Sequence, residues 1–164
     1  MKKLILVLFL CSFAFKAPIP ELNKKIVTYV NSVMGKKVDR GECWDLAAGA
    51  LAYSGAYFDR SSMKTIDIYG RLLNPAKEEI FPGDLIQFEG VKTEWEDENS
   101  TYREEMGHHT AIVYKVNAPG DFEMAHQNTA AWGKKVGVSR FVLSRVTKGK
   151  VMIYRPVKTK EEMK

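Results

Sequence analysis

The N-terminal third of the chain carries apolar residues at helical spacing. Intervals of four and three separate the members of one apolar face: Leu22, Ile26, Val30 and Val33. This spacing predicts a helix that begins after Pro20 and ends near Gly35. A following run rich in alanine and leucine, which are strong helix formers, predicts a second helix over 43–53, with Gly55 at its end.

The remainder of the chain changes to short runs of β-forming residues between turns. These runs predict about five strands, over 85–90, 109–116, 122–128, 138–146 and 150–156. The polar, acidic segment 92–106 has no periodicity and predicts a long solvated loop, and residues 56–80 are expected to be irregular. Helices followed by antiparallel strands indicate an α+β fold, with the helices packed on one side of the sheet.

The chain of 164 residues has the length of one domain. Its first residues have the pattern of a secretory signal peptide, with Lys2 and Lys3 followed by the apolar run Leu4–Phe13. We therefore expect a signal peptide over 1–14, a single domain over 15–164, and a secreted or periplasmic protein. Because the apolar run is shorter than the ~20 residues of a membrane span, no stable membrane insertion is expected.

Charge and composition narrow the classes of partner. Loss of Lys2 and Lys3 with the signal peptide would lower the formal net charge from +5 to +3, which is mild, and no basic patch interleaved with aromatic residues is present, so nucleic acid is not an expected partner. The three histidines lack the spacing of a zinc site, so neither a metal nor a cofactor is expected. We expect a monomer.

Cys43 is the only cysteine left if the signal peptide, which contains Cys11, is removed. An odd cysteine in a secreted chain indicates a free reactive thiol or an intermolecular disulfide. Its position at the start of a helix favours the thiolate, and the same N–H groups could bind an oxyanion. A small buried apolar role is the alternative.

The three histidines lie on two strands of a predicted hairpin. Alternation places His109 on one face with Ala111, and His126 on one face with Asn128. The hairpin turn brings these positions together, so a Cys–His–polar triad forms if the Cys43 helix packs on that face. His108 is expected to point the other way or to lie in a solvated loop.

Three segments in this order resemble the NlpC/P60 and CHAP group of papain-like cysteine peptidases and amidases. They are G-E-C-W-D-L-A at 41–47, P-G-D-L-I-Q-F at 82–88, and G-H-H-T-A-I-V at 107–113 followed by M-A-H-Q-N at 124–128. The resemblance extends over about residues 20–156. Each motif alone is weak, whereas their order and spacing together are fairly specific.

The resemblance implies a papain-like α+β fold and a secreted cysteine hydrolase of amide bonds. Cys43 would be the nucleophile, His109 the general base and acid, and His126 the orienting residue, with Asn128 as the runner-up for that third role. The implied substrate is peptidoglycan, cleaved by an endopeptidase or amidase activity, or another peptide. A catalytically inactive module of the same fold that binds cell wall or peptide is the alternative.

Two features depart from the group's pattern. CHAP domains usually have glutamine before the cysteine, where this chain has Glu42, and a carboxylate there would oppose an oxyanion unless it turns away. The acidic segment 91–106 is long for this group, and it either covers the cleft or forms a solvated insertion. Trp44 and Trp132 either line a substrate groove or pack in the interior.

Overall fold

Two α-helices precede the strands in the computed structural model, which describes residues 17–58 and 69–163. Helix α1 spans Glu21–Val33, and helix α2 spans Cys43–Ser54. Gly55 ends α2 in the left-handed conformation that favours glycine, with φ of 76°. Both predicted helices are thereby confirmed. The predicted signal peptide at 1–14 lies outside the described residues.

Six strands form one antiparallel sheet among the described residues. They are β1 Arg71–Leu72, β2 Leu85–Glu96, β3 Thr101–Ala118, β4 Asp121–His126, β5 Gly137–Val142 and β6 Val146–Arg155. Their order across the sheet is β1-β6-β2-β3-β4-β5. The predicted α+β, papain-like class is confirmed, with one strand more than expected because the two-residue β1 is too short to produce a pattern in the sequence.

The predicted solvated loop over 92–106 is wrong. Strands β2 and β3 continue through this segment as an arm, residues 91–106, with the chain reversing at 97–100. Strand β6 also pairs with its base, at Lys92 and Thr93, so only the outer part of the arm is two-stranded. The arm has few apolar positions, and side-chain pairs across the two strands hold it instead: Trp95 stacked on Tyr102, Arg103 with Glu94, and Lys92 with Glu105. Because charged residues occupy most positions of the arm, its sequence lacks the alternation of apolar and polar residues that would have predicted strands.

The sheet has two differently covered faces. On the helix face, both helices pack against strand residues in one apolar cluster that includes Ile26, Val30, Leu46, Leu51, Leu85, Ile112 and Ala125. On the far face, a second cluster contains no residue from either helix and includes Ile86, Phe88, Ala111, Val113, Phe122 and Phe141. Neighbouring residues of β3 therefore face different surroundings.

A buried ion pair fastens α1 to the sheet at the Pro82-Gly83-Asp84 turn. The Asp84 carboxylate accepts two hydrogen bonds from Arg155, at 2.8 and 2.9 Å, and one from Asn23 at 2.7 Å. A fourth comes from the Phe81 amide at 2.9 Å. We call these four residues the Asp84 cluster. Gly83, with φ of 88°, passes so close to the Asn23 backbone that a β-carbon would overlap it.

Candidate active site

Gln127 joins the end of β4 to the segment that leads into Cys43. Its fully buried side chain accepts from the Val38 amide at 3.1 Å and donates to the Val38 carbonyl at 3.1 Å. It also donates to the carbonyl of Glu42 at 2.8 Å. These bonds hold Cys43, the first residue of α2, against the ends of the strands.

The thiol of Cys43 is a half-buried free cysteine beside β3. Burial raises its pKa, and the negative charge of Glu42 adds to that rise. Hydrogen bonding from Thr110 and from the Trp44 amide lowers the pKa, but by less than burial raises it. Desolvation therefore outweighs, in setting the pKa of Cys43, the contribution by which the helix start favours the thiolate.

Three polar side chains form a chain of hydrogen bonds on the far face. His109 Nε2 lies 3.1 Å from His126 Nδ1, and His126 Nε2 lies 2.9 Å from the hydroxyl of Ser139. Both contacts are satisfied if each ring carries its proton on Nε2. His109 Nε2–H then donates to His126 Nδ1, and His126 Nε2–H donates to the Ser139 hydroxyl. His109 Nδ1 is left as an acceptor. The sequence thus correctly predicted that the two histidines lie side by side.

Both members of this histidine pair are uncharged at neutral pH. Burial lowers the pKa of His109 to about 4, and His108 contributes a further lowering. Burial likewise lowers the pKa of His126 to about 4, with His109 as the second cause. The pair therefore begins any reaction as neutral imidazoles.

The helix that carries Cys43 does not pack on the face of the histidine pair, contrary to expectation. His109 lies opposite Phe88, and Ala111 opposite Ile86, within the far face. Helix α2 covers the other face. Alternation along β3 therefore turns Ala111, like His109, away from α2.

The thiol meets β3 at Thr110, the residue after His109. The Val113 amide donates toward β2, to the carbonyl of Asp84 at 2.8 Å. Alternation directs the Thr110 amide to the opposite side, where the paired part of β4 has ended. Since this amide hydrogen bonds to the Cys43 sulfur, the thiol lies at the margin between the two faces.

His108 belongs to β3 and not to a loop, and it points away from His109 as expected. Its Nδ1 lies 2.8 Å from the Glu89 carboxylate and 3.4 Å from Gln87, on the helix face. The side chain is 58% exposed. His108 is thus engaged on the face opposite to the histidine pair.

Glu42 is the N-cap residue of α2, and its side chain takes part in a capping box with Asp45 at the helix start. One carboxylate oxygen also accepts from the Asn128 side-chain amide at 2.8 Å, and the other pairs with the Lys134 ammonium at 3.0 Å. Glu42 therefore does not turn away from the helix start, and Lys134 neutralises its charge only in part. Asn128, the runner-up for the third catalytic role, is engaged with Glu42 and not with the histidine pair.

A buried polar network lies behind the thiol on the helix face. The Thr110 hydroxyl donates to the Gln87 side chain at 2.7 Å and lies 2.9 Å from the Tyr69 hydroxyl. Gln87 in turn donates to the Glu89 carboxylate at 2.8 Å. This network fixes the strand residue that contacts Cys43.

Two contributors were missed from the sequence. Ser139 shares a face with Phe141 by simple alternation, and pairing of β5 with β4 would have placed it near His126. Gln87 is a polar residue in the apolar run L-I-Q-F, which is itself a signal of a buried hydrogen-bonding role. Neither signal identifies the residue to which the side chain of Ser139 or Gln87 is hydrogen bonded.

Trp132 stands beside His126. Its backbone is held in a short loop, where its amide donates to the Thr129 hydroxyl at 3.1 Å and Thr129 bridges to Gly133. Its indole ring lies over Gly137, where a β-carbon would overlap the ring. Gly137 is the direct partner of His126 in the β4–β5 pairing. The indole nevertheless remains 46% exposed.

Trp44 follows Cys43 in α2, and its environment differs from that of Trp132. It is half-buried, and the guanidinium of Arg40 lies 4.9 Å from its ring centroid. Arg40 also pairs with the buried carboxylate of Asp45 at 3.2 Å. Trp44 therefore belongs to the packing of the loop before α2.

Within residues 17–58 and 69–163, no three histidine, cysteine, aspartate or glutamate side chains come together in a group able to hold a metal ion. In the same part of the chain, neither helix has the length and apolar character needed to cross a membrane.

The fold agrees with comparisons to known proteins. The family model described as the AIM3/BBC1 cysteine proteinase-fold domain matches residues 20–163. The crystal structure of Ly7917 superposes with a TM-score of 0.51 at 12% identity, covering 80% of this chain and 62% of that one.

A second structure, Ly7917 with the hydrolyzing product of MDP, gives a TM-score of 0.51 at 14% identity, covering 82% and 63% of the respective chains. The chain therefore spans less than two thirds of Ly7917, and at this identity the likeness concerns the fold alone. No curated protein sequence matches.

Proposed function

Because the chain belongs to the AIM3/BBC1 cysteine proteinase-fold domain family, we propose that it is a hydrolase of amide bonds with Cys43 as its nucleophile. The observation that carries the proposal is the hydrogen-bonded pair His109–His126, at 3.1 Å, next to the strand residue that contacts the thiol. A nucleophile, a histidine and a group that orients the histidine are the parts of a triad.

In the proposed reaction, Cys43 Sγ attacks the carbonyl carbon of an amide while its proton passes to His109 Nδ1. The protonated His109 then gives this proton to the amide nitrogen, the C–N bond breaks, and a thioester remains on Cys43. Water attacks the thioester with His109 as the base, which releases a carboxylic acid and restores the thiol.

His126 and Ser139 would act through His109. Donation from His109 Nε2 to His126 Nδ1 holds the ring with Nδ1 as the acceptor. The bond from His126 to Ser139 fixes the second ring in the same way. This series of hydrogen bonds supports His126 as the orienting residue in preference to Asn128.

The start of α2 supplies backbone N–H groups that could stabilise an oxyanion. The contact of the Glu42 carboxylate with Lys134 and Asn128 supports this role, since the negative charge is partly neutralised. Oxyanion stabilisation is usually a large contribution to such reactions.

Peptidoglycan is the proposed substrate, cleaved at a stem-peptide bond or at the amide that joins the peptide to the sugar. Support comes from the resemblance of the motifs at 41–47 and 107–113 to peptidases and amidases of cell walls. Ly7917, which shares the fold, was crystallised with the hydrolyzing product of MDP. An exported location, from the signal pattern at 1–14, would give access to this substrate.

A second candidate function, binding without turnover, is favoured by the charge state of the site. Burial raises the pKa of Cys43 and lowers that of His109 to about 4, so a neutral thiol faces a weak base. Alkylation of Cys43 by iodoacetamide, followed from pH 6 to pH 10, measures this directly. A rate that rises only near pH 9 or above favours the binding module, and fast labelling near neutrality favours the hydrolase.

The decisive experiment is hydrolysis of purified peptidoglycan fragments, with released ends identified by mass spectrometry. We expect the wild type to release new amine and carboxyl ends, and Cys43→Ala to release none while keeping its circular dichroism spectrum. Full activity of Cys43→Ala would contradict the mechanism. If the wild type releases no new ends from any fragment, the hydrolase is contradicted and binding without turnover is the function that remains.

A further inference from the structure

The indole of Trp132 is fixed on one side and open on the other. Its inner side lies on Gly137, which has no side chain to displace it, and its backbone is tied by Thr129. Even so, 46% of the residue is exposed. A large, rigid and partly exposed aromatic surface has little conformational entropy to lose when a ligand covers it.

This surface adjoins the histidine pair. Residues directly opposite in an antiparallel pair place their side chains on the same face, about 5 Å apart. Gly137 is opposite His126, so the indole occupies the side-chain position next to that histidine. Only 5% of His126 is exposed, which agrees with a ring standing over it.

We propose that Trp132 is a substrate-binding residue whose exposed indole face stacks on the flat apolar face of a sugar ring of the substrate. The proposal rests on the function proposed above and names the part of the substrate that the site recognises. The C–H groups on that face of a pyranose carry partial positive charge, and the face of an aromatic ring is negative, so the two attract.

A purely structural role for Trp132 makes a different prediction. If the indole only shields His126 from water, its removal changes the pKa of the histidine pair and the maximal rate. If it binds substrate, its removal weakens binding and raises KM at an unchanged kcat. The two roles are therefore separated by which kinetic constant changes.

The test measures binding in the Cys43→Ala background, so that it does not depend on turnover. Isothermal titration calorimetry would compare three ligands: a disaccharide–peptide fragment of peptidoglycan, the free disaccharide and the free peptide. Trp132→Ala removes the ring, Trp132→Phe keeps an aromatic face, and Trp132→Leu keeps apolar bulk without one. Tyr53→Ala, at an exposed aromatic residue near the far end of α2, is the matched control.

We expect Trp132→Ala and Trp132→Leu to bind the two sugar-containing ligands about threefold to tenfold more weakly, with Trp132→Phe close to the parent. Tyr53→Ala should bind as the parent does. Equal affinity of all Trp132 variants, or no binding of any ligand, would overturn the proposal, as would a loss confined to the free peptide. In hydrolysis by the otherwise wild-type chain, a changed kcat with unchanged KM would also overturn it.

Failure of the proposed function looks different. Binding of the disaccharide–peptide fragment that depends on Trp132, without cleavage by the wild type, would remove the hydrolase and keep the stacking residue. Cleavage by the wild type, with no effect of the Trp132 variants on binding, would keep the hydrolase and remove the stacking role of Trp132.

Discussion

Two buried polar clusters of this molecule solve the problem of burial in opposite ways. In the Asp84 cluster, every hydrogen-bonding partner of the carboxylate is a donor, which fits an ionised aspartate paired with Arg155. In the histidine pair, burial lowers both pKa values to about 4 and the rings stay neutral. Burial raises the pKa of Asp84, but the bonds from Arg155, Phe81 and Asn23 offset part of that rise, whereas among the described residues the histidine pair has no charged partner that offsets its burial.

The difference separates a cluster with a structural role from the cluster to which we assign the reaction. Both oxygens of Asp84 are saturated, so that cluster holds α1, the Pro-Gly-Asp turn and β6 together and has no capacity left for a ligand. The chain from His109 through His126 to Ser139 uses one nitrogen of His109 and leaves the other for proton transfer.

Removing the base should give the largest loss. We expect His109→Ala to lower kcat by about 10²- to 10⁴-fold, since general acid–base catalysis contributes that much. The matched control is His108→Ala, which removes the neighbouring imidazole from the helix face and should stay close to the wild type. Kinetics on peptidoglycan fragments measure both, and the reverse ranking would assign the base to His108.

Breaking the Asp84 cluster should affect stability without affecting chemistry. Asp84→Ala removes the carboxylate partner of the 17% exposed Arg155, which keeps its hydrogen bond to the Glu79 carbonyl, and should lower the free energy of unfolding by about 3 kcal/mol. Urea denaturation measures this, and activity per folded molecule should persist. The control Glu94→Ala breaks the exposed pair with Arg103 in the arm and should cost less than about 1 kcal/mol. Equal costs would contradict the distinction between the two pairs.

Acid should destabilise the protein through the histidine pair. The pKa of each ring is about 4 in the fold and 6.5 in the unfolded chain, so the unfolded state binds more protons between these values. Stability is therefore complete above pH 6.5 and declines as the pH falls toward 4, by up to about 1.4 kcal/mol per pH unit for each proton. Urea midpoints should decline less steeply in His126→Asn, and parallel curves would contradict the assignment.

The terminal hydrogen bond of the chain should matter least. Ser139→Ala removes the acceptor of His126 Nε2, and a neutral hydrogen bond contributes about 1 kcal/mol. We expect a reduction in kcat of about fivefold, with little change in KM. Ser139→Thr, which restores a hydroxyl, should recover most of the rate. An unchanged kcat in Ser139→Ala would show that the series of hydrogen bonds that acts on His109 ends at His126.

The elements that carry the candidate site could be predicted because each has a strong local signal. Helix α2 follows from its alanine- and leucine-rich composition, and its end follows from Gly55. The contact between His109 and His126 follows from a hairpin with a clear turn. The family motifs added the order of these parts. These predictions depend on short stretches of chain.

The features that were mispredicted depend on contacts between distant residues. Alternation groups His109 with Ala111 but does not say which face the helices cover, and they cover the other one. The arm is held by charge pairs that have no periodic signature. The pKa of Cys43 depends on how deeply the packed fold buries it, which a helix start alone does not determine.

Gln127 ties residues that are 85 and 89 positions apart in the chain. Contacts of such long sequence separation add the entropy of loop closure to the cost of folding and slow it. The position of Cys43 against the end of β4 depends on that closure and not on α2 alone. We therefore expect Cys43 to be protected from alkylation during refolding only once β4 has joined the sheet, which pulse labelling of the thiol measures.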